Sequence, residues 1–93
     1  MIVTVKTFAS LRAAMDPKFS LKLPDRSTIR DLLNLVLARY KEAKRFLVDA
    51  KTKDFHSYYV ILKNGRNIVF LNGLGTVLEK GDEVSIFPPM GGG

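Results

Sequence analysis

One stretch constrains this chain more than any other: "STIRDLLNLVLARYKEAKRFL", from Ser27 to Leu47. Ile29, Leu33, Val36, Tyr40, Ala43 and Leu47 recur at alternating steps of four and three, with Leu32 and Leu37 widening the stripe. That is the period of an amphipathic helix with one apolar face. Thr28 followed by Asp31 has capping-box spacing, so the helix is predicted to start there. The same periodicity is compatible with a break near Tyr40 or Lys41 into two shorter helices. In either case a long apolar face needs a surface to cover, and the rest of the chain supplies strands.

"MIVTVKTF" places Ile2, Thr4 and Lys6 on one side and Val3, Val5 and Phe8 on the other, the alternation of a half-buried strand. "FASLRAAM" reads as a turn or short helix ended by Asp16-Pro17, and "FSLKLP" alternates again with Phe19, Leu21 and Leu23 facing one way. The two strands predict a wide hairpin. After the helix, "DAKTKDFHS" is polar loop, and "YYVILKNG" is a strand ending in the tight-turn dipeptide Asn64-Gly65. "NIVFLNG" is its expected short partner. A turn at Gly73 and Gly75, a turn or 3-10 piece from Thr76 to Glu79, and a last strand from Glu83 to Phe87 complete the order. In that last strand Val84 and Ile86 point one way, and Phe87 is left at risk of exposure. A sheet with one helix across its apolar face is an α+β domain with mixed pairing. The helix is expected to lead to a strand lying beside the first. At 93 residues the chain supports one packed domain, residues 1–89, with 90–93 as a tail.

Several chemistries are poorly supported. The chain has no cysteine, which removes thiolate nucleophiles, thiolate metal ligands and disulfides. Its one histidine, His56, falls in the most loop-like segment and is expected to be solvent-exposed. Asp82 and Glu83 are adjacent, so in a strand they diverge, and Asp82 reads as a turn residue. "NGLG" and "GGG" lack the spacing and following helix of a phosphate cradle. No cofactor or metal site is therefore expected in the chain alone. No apolar run reaches the ~18 residues of a membrane span, and the start lacks signal-peptide form, so a cytoplasmic location is expected.

The formal net charge is +6, from 15 Lys and Arg against 9 Asp and Glu. Six of the basic residues lie between Arg39 and Lys53 (Arg39, Lys41, Lys44, Arg45, Lys51 and Lys53), opposed by Glu42 and Asp49. A solvated helix face accounts for much of this, and a partner or polyanion surface is the competing reading. Tyr58 and Tyr59 near Lys63 and Arg66 offer a weak nucleic-acid alternative, in which strand alternation turns one tyrosine inward.

The ending "FPPMGGG" is a local exception to a globular composition. Glycine loses more backbone freedom on ordering than any other residue and has no side chain to bury. Gly91, Gly92 and Gly93 thus benefit the protein where backbone must pass a narrow channel. Their end presents an unhindered carboxylate, held away from the body by Pro88-Pro89. An ordinary frayed terminus is the plain alternative.

Taken together, "FASLR" after a first strand, "TIRDLL" opening the helix, Asn64-Gly65, "LNGLGTVLEKGDEVSIFPP" and the terminal Gly92-Gly93 resemble the ubiquitin-like β-grasp sulfur carriers over essentially the whole length. The resemblance is to the MoaD-type small subunit of molybdopterin synthase, its relatives among prokaryotic small modifiers and, more distantly, the ThiS thiamin sulfur carrier. It implies a β-grasp fold with a mixed four- to five-stranded sheet on one main helix and a flexible glycine tail. It also implies that an E1-like enzyme (MoeB/ThiF type) uses ATP to adenylate the Gly93 carboxylate. A sulfur donor such as a cysteine desulfurase or rhodanese then makes a thiocarboxylate, which is passed to the large molybdopterin synthase subunit (MoaE type). Gly91 and Gly92 would thread the channel, and Phe87, Pro88, Pro89 and Met90 would contact partners. The same glycine serves the alternative readings, a protein modifier joined to lysine or a carrier for tRNA thiolation.

Overall fold

The computed structural model describes residues 1–89; the expectations resting on Met90, Gly91, Gly92 and Gly93 lie outside the described residues. Strands β1 (Ile2–Thr7) and β2 (Lys18–Lys22) form the antiparallel hairpin, joined through a 3-10 turn at Ala9–Ala13. Helix α1 (Ile29–Arg39) follows, then a 3-10 turn at Lys41–Ala43 running into α2 (Lys44–Leu47). Three strands come after the loop: β3 (Val60–Lys63), the two-residue β4 (Arg66–Asn67) and β5 (Glu83–Phe87). They make one mixed sheet in the order β2-β1-β5-β3-β4, a ubiquitin-like β-grasp.

Both cap bonds predicted for α1 are present. The Thr28 hydroxyl accepts the Asp31 N–H at 3.3 Å, and the Asp31 carboxylate accepts the Thr28 N–H at 2.8 Å. The helix ends where the periodicity allowed a break. Tyr40 leaves helical geometry, with its ring packed tilted on Phe19, 4.8 Å between centroids, and its hydroxyl donating to Asp16 at 2.9 Å. The predicted stripe is the buried one: Ile29, Leu32, Leu33 and Val36 pack on Val3, Val5, Leu21, Val84 and Ile86 of the sheet. Ala43 and Leu47 extend it beyond the break.

Three local expectations are corrected. The strand beside β1 is the last one, β5, parallel to it with Val5 opposite Val84; β3 lies on β5's other side. Central placement gives β5 a paired neighbour on each edge, which suits a strand whose Val84 and Ile86 are fully buried. "NIVFLNG" is strand only at its start. The Asn67 side chain accepts the Val69 N–H at 3.0 Å and turns the chain into a 3-10 piece, Ile68–Phe70. The residues from Thr76 to Glu79 are not a 3-10 turn, which falls instead at Gly73–Gly75. Thr76 and Leu78 flank the helix start: Ile29 N–H donates to Thr76 O at 3.0 Å and Leu78 N–H to Ser27 O at 2.8 Å. An amide that the first turn of α1 leaves without an intrahelical partner is thereby satisfied. Among the described residues no helix is long and apolar enough to cross a membrane.

Candidate functional site

The tail leaves from β5, so the site is built by what fixes the two ends of that strand. At its start, Asp82 is only 6% exposed. Its carboxylate accepts the Glu79 N–H at 2.7 Å and the Asn64 amide at 2.8 Å, and lies 3.5 Å from Lys63 Nζ. Asn64 Oδ1 in turn accepts the Glu83 N–H at 2.8 Å. Asn64 and Gly65 both take left-handed φ values, 50° and 84°, the two-residue turn that this dipeptide favours. The hairpin tip and the entry to β5 are thus one hydrogen-bonded unit. Asp82 is a turn residue as read from sequence, and it is also this unit's shared acceptor.

At the far end, Phe87 pairs with Val60 across the sheet. Its ring lies flat on Phe8, with centroids 4.2 Å apart and planes within 9°. Arg12 sits 5.7 Å over the Phe8 ring and is held there by its Nε–H to Thr7 O at 3.2 Å. Ala9, at φ 53°, turns the chain left-handed immediately after Phe8. Phe8 was expected on the core side of the first strand. Thr7 takes that place instead, fully buried, with its hydroxyl donating to Asp16 O at 2.9 Å. Phe87 is accordingly half-buried rather than exposed, Pro88 is half-buried and Pro89 exposed. Of the sequence-predicted site residues, Phe87, Pro88 and Pro89 form one continuous tail base, while Met90 and Gly91 to Gly93 lie outside the described residues. Phe8 and Arg12 belong to that base and were missed; "FASLR" was the available signal.

His56 is not solvent-exposed as expected. Its side chain is 17% exposed, stacks on Tyr58 at 4.5 Å and lies 3.9 Å from Asp49. Asp49 accepts the amides of Lys51 and Thr52, at 2.7 and 3.2 Å, and these bonds hold its carboxyl below the usual range. The pair therefore shapes a loop. Asp54 is likewise held low, first by its bond to Arg30 at 2.9 Å. Desolvation, then the Asp16 bond, pushes the Tyr40 hydroxyl up. Among the described residues no group of three His, Asp or Glu side chains is arranged to hold a metal ion. The basic stretch divides: Arg39 is bound to Ser20 O at 3.0 Å, whereas Lys41, Lys44, Arg45 and Lys53 line a hollow of about 410 Å³ together with Val48 and the acids Glu42 and Asp49. Tyr58 faces solvent and Tyr59 packs against the core, as alternation predicted.

The sequence pattern of the ThiS family matches residues 5–93. Small archaeal modifier protein 3 of Haloferax volcanii is 36% identical, with all of both chains covered. The solution structure of small archaeal modifier protein 1 from Methanosarcina acetivorans superposes with a TM-score of 0.87 at 33% identity, covering 99% of this chain and 96% of that one. A putative molybdopterin converting factor, subunit 1, from Pyrococcus furiosus superposes at 0.76 and 26% identity, covering 96% and 98%.

Proposed function

The chain belongs to the ThiS family, within the ubiquitin-like sulfur-carrier superfamily, and on that premise we propose that it is a protein modifier acting through the carboxylate of Gly93. The likeness to a small archaeal modifier over the whole of both chains carries this reading. It shifts the weight from the MoaD-type resemblance, whose counterpart among these relatives is less similar at 26% identity.

A carboxylate resists attack until one oxygen becomes part of a leaving group. An E1-like enzyme supplies this by joining the Gly93 carboxylate to the AMP portion of ATP, releasing pyrophosphate. A lysine ε-amine then attacks the acyl carbon, forms the amide bond, loses a proton and expels AMP. The protein's own contribution is a handle. The Phe8–Phe87 stack fixes where β5 ends, and Pro88-Pro89 stiffen the exit. Gly91 to Gly93 carry no side chain into the enzyme's channel.

Sulfur carriage remains the second reading, favoured by the likeness to the molybdopterin converting factor. Hydrosulfide attacking the acyl carbon in place of the amine expels AMP, loses its proton and leaves a thiocarboxylate on Gly93, available to a large molybdopterin synthase subunit. Cleavage chemistry separates the two. Trypsin cuts last at Lys80 and would leave the cumbersome branch Gly81–Gly93 on a modified lysine, but cyanogen bromide cuts after Met90 and leaves triglycine. Triglycine on lysines of cellular proteins is the expected finding. Its absence, together with a sulfur-for-oxygen mass gain on the free protein, would replace modification by sulfur transfer.

A further inference from the structure

The sheet has two edges, and they are finished differently. β4 is two residues long and passes at once into the Ile68–Phe70 turn, which shortens that edge. β2 is a full five-residue edge strand. Leu23 N–H bonds Met1 O at 2.9 Å, and Thr7 N–H bonds Pro17 O at 3.0 Å. The antiparallel alternation between these points therefore aims the peptide groups of Phe19 and Leu21 at β1 and those of Ser20 and Lys22 outward. Among the described residues, the one bond to this outward row is from Arg39 to Ser20 O, at 3.0 Å. The N–H of Ser20 and both main-chain groups of Lys22 face away from the sheet.

A groove of about 580 Å³ runs beside the end of this strand, against α1. Leu23, Pro24 and Leu35 give it an apolar side, Lys22 and Arg26 are its cations, and Asp25 and Asp31 line it as well. Leu35 is 36% exposed although it lies on the main helix. Both carboxylates of the groove have partners, Asp31 in the cap of α1 and Asp25 with the amino terminus at 3.8 Å, and Asp16, just before the other end of β2, accepts the Tyr40 hydroxyl. Lys18, Lys22, Arg26 and Arg39 are exposed and make no ion pair among the described residues. The edge thus offers alternating donors and acceptors, a basic rim and an apolar slot.

We propose that β2 is a strand-addition site for an extended acidic segment of a partner protein, with one apolar side chain entering the groove against Leu35. Strand addition gives affinity through main-chain bonds and specificity through alternate side chains, and both elements are present here. Arg39 releases Ser20 O to the incoming strand. Its guanidinium, lying 5.2 Å over Phe19, is then placed to meet a carboxylate. A peptide fits better than a nucleic acid, because main-chain groups recur at strand spacing and no aromatic ring lines the groove for bases to stack on. β1 separates β2 from β5, so this proposal stands or falls independently of the tail chemistry.

The test is titration of the ¹⁵N-labelled full chain with a synthetic peptide of central valines flanked by aspartates, followed by amide shifts and hydrogen exchange. Saturable shifts at Ser20, Lys22 and Leu35, with slowed exchange of the Ser20 and Lys22 amides, are expected. A peptide of the same charge interrupted by proline should bind at least ~10-fold more weakly, because it cannot complete the ladder. Lys22→Glu, an exposed change that leaves the remaining spectrum in place, should weaken the parent peptide about fivefold. Equal binding of the proline peptide, shifts confined to Lys41–Lys53, no saturable binding, or protection of the same amides by oligothymidylate would each overturn the proposal.

Discussion

Replacing Asp82 with alanine should destabilise the domain by about 3 kcal/mol, because two hydrogen bonds to a buried, charged acceptor are lost at ~1.5 kcal/mol each. The bonds in question are those from the Glu79 N–H and the Asn64 amide. Lys63 adds less, since it retains Glu79 at 3.4 Å. For a domain of this size each kcal/mol moves Tm by roughly 4–8 °C, so the midpoint should fall by about 12–24 °C. Asp82→Asn preserves shape and some accepting capacity and should lose about half as much. Urea unfolding followed by circular dichroism measures both variants, with the slope of the transition checking that the unfolded state is unchanged. The tail base should be spared, because the Phe8–Phe87 stack lies at the opposite end of β5. A loss below about 1 kcal/mol for Asp82→Ala would refute the view that this carboxylate ties the hairpin tip to β5.

Thr28→Ala removes one half of the capping box and should cost about 1 kcal/mol in the same assay, with α1 amides near its start exchanging faster. Acid should weaken the fold partly through Asp54. Its carboxyl is held below the ordinary 3.8 by Arg30, so its contribution is complete above that value and disappears as pH falls through the lower folded value. Asp54→Asn should therefore flatten the loss of stability seen from about pH 4 downward, as read by urea midpoints across pH. Gly92→Val should leave the urea midpoint unchanged yet slow activation by the cognate enzyme, because a β-branched side chain enters the passage. Normal activation would remove the narrow-channel reasoning.

Much of the fold was legible because its signals are local. The stripe from Ile29 to Leu47 and the alternation in Phe19, Leu21 and Leu23 each report which side of an element is dry, and those sides are buried. Thr28–Asp31 and Asn64–Gly65 set a helix start and a turn by chemistry confined to neighbouring residues. Strand order was less accessible. Nothing within "DEVSIF" states that it lies between β1 and β3, because that depends on partners far away in sequence. Phe8 was misassigned for a related reason. Alternation from Val3 and Val5 runs on to Thr7, and a buried threonine becomes acceptable only once the Asp16 carbonyl is there to bond it. The displaced Phe8 then finds Phe87, a contact spanning nearly the entire chain. The tail was read from order and composition, and what it acts upon depends on surfaces belonging to other molecules.

The central claim, that the Gly93 carboxylate is the activated group, is tested most directly by ATP–pyrophosphate exchange with the cognate activating enzyme, comparing the full chain with one lacking Gly93. The account predicts exchange with the full chain and its loss on deletion, with urea midpoints unchanged because glycine has no side chain to bury. Undiminished exchange without Gly93 would contradict it.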